Sequence, residues 1–372
     1  MHRHWPALDG LRGIAILLVL AHAFSVFEPA STLATLLKLG FDFGWIGVQL
    51  FFVLSGFLIT GILLDARDSA GYYRNFIARR ALRIFPLYYG VLLVAFVVLP
   101  LLRTMPAGYG EHQAWLWLYV ANFTAPFGRS EAAFPHFWSL CVEEQFYLLW
   151  PWLVRWVGRR GVLVSGGVLV VLAIASRVLA RALFPSPLGE DIAYMFTICR
   201  FDALAIGAML AALLRDPRAL AGLGAKPAAG LAATGAALVL VTAVFGALQR
   251  QGQWMQWIGY TTIALGFACV LAGALNASTL WARLLSLPWL RRCGQYSYGM
   301  YVFHAPLHVF VGLPLLAALG LGGGILASLG YFVIATVATF IAGALSYMLY
   351  ERHLLPIKAR SAPKPAASPL SA

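Results

Sequence analysis

Ten predominantly apolar stretches, each of about 17 residues or more and so long enough to cross ~30 Å of hydrocarbon, punctuate the sequence. They fall at roughly 11–27, 44–64, 84–102, 138–154, 161–180, 192–214, 228–248, 256–275, 296–319 and 324–350. Backbone exposed to lipid must satisfy its own hydrogen bonds, so these runs predict helices, and the expected fold is an all-α polytopic membrane protein of about ten spans. Composition agrees: 61% of residues are hydrophobic and only 11% charged. A mean hydropathy of +0.80 lies far from the soluble globular range. The fourth run is the least regular, because Glu143 and Glu144 stand near its start.

The basic residues set the expected orientation. With the N-terminus inside, twenty of the 27 Lys and Arg fall in cytoplasmic segments. Lys38, Arg103, Arg129, Arg177, Arg181 and Arg250 fall outside, and Arg200 lies within a span. This alternation predicts both termini in the cytoplasm and explains the net charge of +13 without nucleic acid as a partner. Cys141, Cys199, Cys269 and Cys293 show neither paired spacing nor CxxC, so packing roles are expected and no metal is implied. Arg3, a short apolar run and Ala21-His22-Ala23 loosely imitate a cleavable signal peptide, but cleavage would leave an odd number of spans.

Ionisable side chains inside a bilayer are costly and usually mark a pathway or a reaction. Arg12 and His22 bracket the first run, about 15 Å apart along an ideal helix axis. One fits a charged ligand at the membrane face and the other fits chemistry nearer the middle. In the second run Ser55-Gly56 reads first as close helix packing. Arg79, Arg80 and Arg83 follow at the inner end of the third run, where guanidiniums fit bidentate phosphate binding or an ordinary lipid anchor. The aromatic loop at about 103–137 has room for an interfacial element. It leads to Glu143 and Glu144, about 100° apart on a helix, so that only one is expected to face a given cavity. Arg200 and Asp202 point away from each other and call for partners on neighbouring spans, while His304 sits at mid-depth in the ninth run. Residues 1–357 read as one transmembrane domain and 358–372 as a disordered cytoplasmic tail.

Seven of these stretches, in order, resemble the acyltransferase-3 family of bacterial integral-membrane acyltransferases. They are LDGLRGIA with a following His, GVQLFFVLSGFLIT, RRALRIFPLYY, FWSLCVEEQFYLLWP, RFDALAIG, SYGMYVFHAPL and YERHLLP, spanning Leu8 to about Pro356. The resemblance implies a ten-span enzyme of the bacterial inner membrane. Such an enzyme takes an acyl group, commonly acetyl, from acyl-CoA on the cytoplasmic side and delivers it to an acceptor hydroxyl. It implies that Arg12 and His22 are the family's first-span pair and that Arg80 and Arg83 are its RxxR motif. The family usually places ten residues between that Arg and His; here there are nine, which leaves the two about 80° apart and raises His304 as an alternative base. No hydrolase-like domain follows the spans, so a separate periplasmic or extracellular transferase is an expected partner.

Acyl transfer from a thioester to an alcohol requires a grip on the donor, a base and stabilisation of the developing oxyanion. The expected assignment gives the CoA phosphates to Arg79, Arg80 and Arg83 with Arg12, and the proton or the acyl group itself to His22. Glu143 or Glu144 orients the imidazole or binds sugar hydroxyls. Arg200, Asp202, His304 and Ser55 complete the acceptor side. The acceptor class is a cell-surface glycan, a lipid-linked sugar or a small molecule. The rival reading is a transporter or flippase that uses the same buried charges as a substrate or proton pathway.

Overall fold

The structure, a computed structural model, describes residues 5–352 apart from 103–104, 106–107, 217, 220–221 and 247–248. The expected tail at 358–372 and the end of the YERHLLP stretch lie outside the described residues. Among the described residues the chain is helical and has no strand. Helix α1 (Pro6–Ala23) starts with proline in its first turn, where no amide partner is lost. Helix α2 (Thr32–Asp42) is a short surface helix capped by the Ser31 hydroxyl, and α3 (Ile46–Asp65) and α4 (Tyr72–Leu93) follow. Next come α5 (Phe137–Leu183), α6 (Leu188–Met195), α7 (Thr197–Leu213), α8 (Ala225–Phe245), α9 (Tyr260–Ala274), α10 (Pro288–Leu307) and α11 (Ile325–Ser346). Single turns of π-helix carry α4 on to Leu102 and α10 on to Ala318.

Nine helical stretches among the described residues are long and apolar enough to span a membrane. One of them crosses twice. At 47 residues α5 is too long for a single pass, and Gly158 interrupts it with φ 63° and ψ −165°, a conformation open chiefly to glycine. Its contacts show the reversal. Gln145 bonds to Thr197 at the start of α7, Arg159 bonds to Asp216 beyond the end of α7, and Arg177 is back beside Cys199 and Asp202. The two halves of α5 are therefore the fourth and fifth crossings that the hydropathy anticipates.

Burial separates the central helices from the lipid-facing ones. The most apolar windows of α3 and α9 are 72% buried, against 17% for that of α11. Small residues permit the central packing. A methyl group on Gly294 of α10 would lie 1.8 Å from the Asp9 carbonyl oxygen of α1, and one on Gly56 of α3 would lie 1.9 Å from the Leu204 carbonyl oxygen of α7. The glycines of LDGLRGIA and SGF are thus contact points at which only hydrogen fits, as the packing reading of Gly56 anticipates. The loop after α4 forms two short helices, Gln113–Trp117 and Ala121–Thr124, tied down by Trp117 stacked on Tyr89 and Tyr119 on Tyr88. Of the four cysteines Cys141, Cys199 and Cys293 are buried, and all four are free thiols.

Candidate active site

A single open cavity gathers polar side chains from five helices. It holds about 800 Å³ of atom-free space, counting its mouth. Arg12 of α1, Ser55 of α3, Arg80 and Arg83 of α4, Ser139, Glu143 and Tyr147 of α5, and Ser297, Tyr298 and Tyr301 of α10 face it between apolar residues of α3. Each helix contributes through its period: Arg80 and Arg83, three apart, share a face, as do Ser139, Glu143 and Tyr147 at intervals of four. Arg12 can reach the cavity because Gly10 and Gly13 bring α1 against the Leu285 and Leu290 carbonyls.

Charge in the cavity is unbalanced. Arg80 and Arg83 have no ion-pair or hydrogen-bond partner among the described residues, and Arg12 donates only to the Ser297 hydroxyl, at 3.2 Å. The one carboxylate facing them is already engaged: Glu143 accepts from the Ser55 hydroxyl at 2.8 Å and from the Tyr147 hydroxyl at 3.0 Å. The Arg80 guanidinium lies 5.0 Å above the Tyr147 ring. Three guanidiniums and one carboxylate line the cavity, and although Asp9 acts on Arg12 and Glu144 on Arg80 from behind its wall, the surface open to a ligand is predominantly positive, an arrangement suited to an anion such as a phosphate.

Several expected site residues stand elsewhere. Arg79 does not line the cavity, because at one position from Arg80 it turns about 100° away. Of the adjacent glutamates only Glu143 faces the cavity. Glu144 is buried behind it, with Oε1 lacking a hydrogen-bond partner. Arg200 and Asp202 do not line the cavity either; both are fully buried elements of the packing. Asp202 accepts from Arg177 at 2.9 Å, from Thr261 at 2.6 Å and from the Ala203 amide at 2.8 Å, so neighbouring spans supply its partners as the sequence suggests. Arg177, counted above with the outer residues, lies within the second half of α5 and is fully buried. Arg200 bonds to Gln49 and is surrounded by the rings of Tyr260, Tyr194, Phe52 and Trp138, its Cζ 4.5 to 5.7 Å from their centroids. Aromatic faces thus replace a carboxylate partner.

Neither His22 nor His304 lines the cavity. Helix α1 remains α-helical from Pro6 to Ala23, so the offset of about 80° between Arg12 and His22 persists. The His22 Nδ1 instead lies 2.7 Å from the Asp42 carbonyl. His304 Nδ1 lies 2.6 Å from the Tyr301 carbonyl, and its ring packs 4.3 Å from that of His136. Phe24 touches both His304 and His308. The imidazoles form their own group beyond the wall of the cavity where Ser139 and Tyr301 meet, their hydroxyls 2.5 Å apart. Sequence reasoning singled out neither Ser139, Ser297, Tyr298 and Tyr301 nor His136. The signal was present, since four of these belong to FWSLCVEEQFYLLWP and SYGMYVFHAPL, but hydroxyls in apolar helices do not stand out as charges do.

Comparison with known proteins bears on this geometry. A family model described as an acyltransferase domain, that of the acyltransferase-3 family, matches residues 5–348. YrhL of Bacillus subtilis (strain 168) is 29% identical over 94% of this chain and 55% of its own length. The peptidoglycan O-acetyltransferase OatA of Listeria monocytogenes serovar 1/2a is 26% identical over 94% of this chain and 55% of its own. The O-acetyltransferase OatA of Staphylococcus aureus (strain NCTC 8325 / PS 47) is 26% identical over 83% of this chain and 51% of its own. The chain therefore spans about half the length of the curated relatives it matches. No solved structure matches it. With the family's sequence pattern running through all the crossings described above, this multi-pass membrane protein belongs to the acyltransferase-3 family.

Proposed function

We propose that this chain is an O-acyltransferase of the bacterial inner membrane that transfers an acyl group, acetyl in the first instance, from acyl-CoA to a hydroxyl of a cell-envelope glycan or lipid-linked sugar. The observation that carries the reading is the cavity in which Arg12, Arg80 and Arg83 face one already engaged carboxylate. Coenzyme A is a thioester carrier bearing several phosphate charges, and guanidiniums lacking partners are the groups that bind such charges bidentately. Positive-inside alternation puts Arg80 and Arg83 at the cytoplasmic end, where acyl-CoA is available, and puts both termini on that side. Peptidoglycan relatives favour a carbohydrate acceptor, reached directly or through a separate extracytoplasmic transferase.

In this reading the arginines hold the donor, and Glu143, fixed by Ser55 and Tyr147, keeps the cavity from binding the anion too tightly to release it. The hydroxyls of Ser139, Ser297 and Tyr301 already donate to backbone carbonyls, so the developing oxyanion falls to the arginines that line the same cavity. The base comes from the imidazole group beyond Ser139 and Tyr301, to which His22 belongs. Residues 1–357 act as one transferase domain. Purified protein given acetyl-CoA and cell-envelope glycan is expected to release free CoA and acetylate the glycan. A transporter or flippase would do neither, and absence of CoA release from protein that binds acetyl-CoA would end the transferase reading.

A further inference from the structure

Beyond the arginine-lined cavity, four of the eight histidines crowd one region of the bundle. His136 stands immediately before α5 and His304 near the end of α10, each one helical turn beyond a residue of the cavity wall, Ser139 and Tyr301 respectively. Their rings are 4.3 Å apart. Tyr301 joins the two regions. Its hydroxyl contacts that of Ser139 and donates to the His136 carbonyl at 3.1 Å, while its own carbonyl accepts from His304 Nδ1.

Hydrogen bonding fixes what these rings present. A carbonyl oxygen only accepts, so His304 carries its proton on Nδ1, and in the neutral ring Nε2 is left with a bare lone pair. His136 is the anomaly: both of its ring nitrogens are buried, and the backbone carbonyls of Val302 and Tyr301 lie near the ring without forming a well-aligned hydrogen bond to either. Burial, with His304 beside it, pushes the His136 imidazole well below its usual range, so the ring is neutral and offers one donor and one acceptor. Buried polar groups are rarely left unsatisfied without a functional reason. A hydroxyl group is the small ligand that donates once and accepts at the same atom.

We propose that the paired imidazoles of His136 and His304 form the subsite for the acceptor hydroxyl, which meets the donor cavity at Ser139 and Tyr301, the residues of its wall next to the two rings. The proposal rests on the transferase reading above and assigns it an acceptor side. The hydroxyl of the acceptor hydrogen-bonds to His136 and gives its proton to a bare imidazole nitrogen of the pair. Its oxygen forms the new bond to the acyl carbon as the carbon–sulfur bond of the thioester breaks, and the departing thiolate recovers the proton as free CoA thiol. Tyr301 acts as a positioning residue, holding His304 in the required tautomer and the His136 backbone in place.

The test uses membranes from cells expressing the full chain, with acetyl-CoA labelled in its acetyl group and the endogenous cell-envelope glycan as acceptor. His136→Gln and His304→Gln are each expected to retain acetyl-CoA affinity within about twofold while label transfer falls at least ~100-fold, the scale of general base catalysis. Tyr301→Phe, which removes the hydroxyl bond to the His136 carbonyl and keeps the Tyr301 carbonyl, is expected to lower the transfer rate more than it changes acetyl-CoA affinity. Wild-type label transfer in both histidine variants would overturn the subsite while leaving the transferase reading intact. Acetyl-CoA affinity lost together with transfer would also overturn it, because the rings would then serve the donor site or the fold. If the wild-type chain binds acetyl-CoA and transfers no label above membranes lacking it, the transferase reading fails and the subsite falls with it.

Discussion

Removing the Asp202 carboxylate tests whether this buried acid is architecture or chemistry. Asp202 and Arg177 are both fully buried, 2.9 Å apart, and Asp202 also accepts from Thr261 and from the Ala203 amide. Asp202→Ala strips Arg177 of its counter-charge and leaves it the Cys199 and Trp257 carbonyls and the Thr261 hydroxyl. Breaking one side of a buried pair costs about 3–5 kcal/mol, because the surviving charge stays desolvated. The same substitution removes three hydrogen bonds to a carboxylate, a loss that works in the same direction and is contained in that figure rather than added to it. In detergent-purified protein this corresponds to a fall in apparent melting temperature on the order of 10 °C. Removing both charges, as Arg177→Met with Asp202→Leu, eliminates the desolvation cost along with the attraction. The double variant is expected within about 1.5 kcal/mol of wild type. Thermal unfolding followed by fluorescence-detected size exclusion supplies the stabilities, and label transfer from acetyl-CoA supplies the activity. If the double variant were as unstable as the sum of the singles, the uncompensated-charge reasoning would be wrong. If it were stable but inactive, Asp202 would belong to the reaction after all.

The remaining predictions concern the cavity and the close packing that forms it. Arg83→Gln should raise the acetyl-CoA dissociation constant ~10- to 100-fold, the worth of one charge-assisted contact to phosphate, whereas Arg79→Gln, whose side chain does not reach the cavity, should leave it within about twofold. Equilibrium binding of labelled acetyl-CoA compares the two, and equal effects would refute the cavity as the donor site. Glu143→Gln removes the carboxylate that lines the cavity with the three arginines, so binding of the anionic donor should tighten several-fold in the same assay; weaker binding would show that the arginines need Glu143 to hold their positions. Gly294→Ala places a methyl group 1.8 Å from the Asp9 carbonyl oxygen and should cost ~1–3 kcal/mol or more by pushing α1 from α10. Thermal unfolding measures that loss, and an unchanged melting temperature would show that the helices are not held at this separation.

The cavity also explains why some charges were easier to interpret than others. Arg80 and Arg83 form a local pattern, three residues apart on one helix, so their shared face follows from α-helical geometry once the helix is granted. Glu143 and Glu144 are equally acidic and adjacent, and only the packing of α5 against α3 decides that the first meets Ser55 and the second is turned away. Arg200 looked like a site residue for the same reason as Arg12: both are guanidiniums in apolar helices. One is enclosed by four rings and Gln49, and the other opens onto a cavity.

Chain chemistry alone was sufficient for the membrane class, the helical fold, the ten crossings and the family, because each is a property of stretches no longer than a span. Hydropathy needs only about twenty consecutive residues, and the glycine-bearing motifs are contiguous. The reversal at Gly158 was anticipated by two apolar runs, although its left-handed backbone appears only in three dimensions. Tertiary structure alone decided the pairing of Arg177 with Asp202, the choice of Glu143 over Glu144, and the separation of the imidazoles from the arginines. Each depends on contacts between helices distant in sequence, and the rotation of a helix about its axis is set by what packs around it.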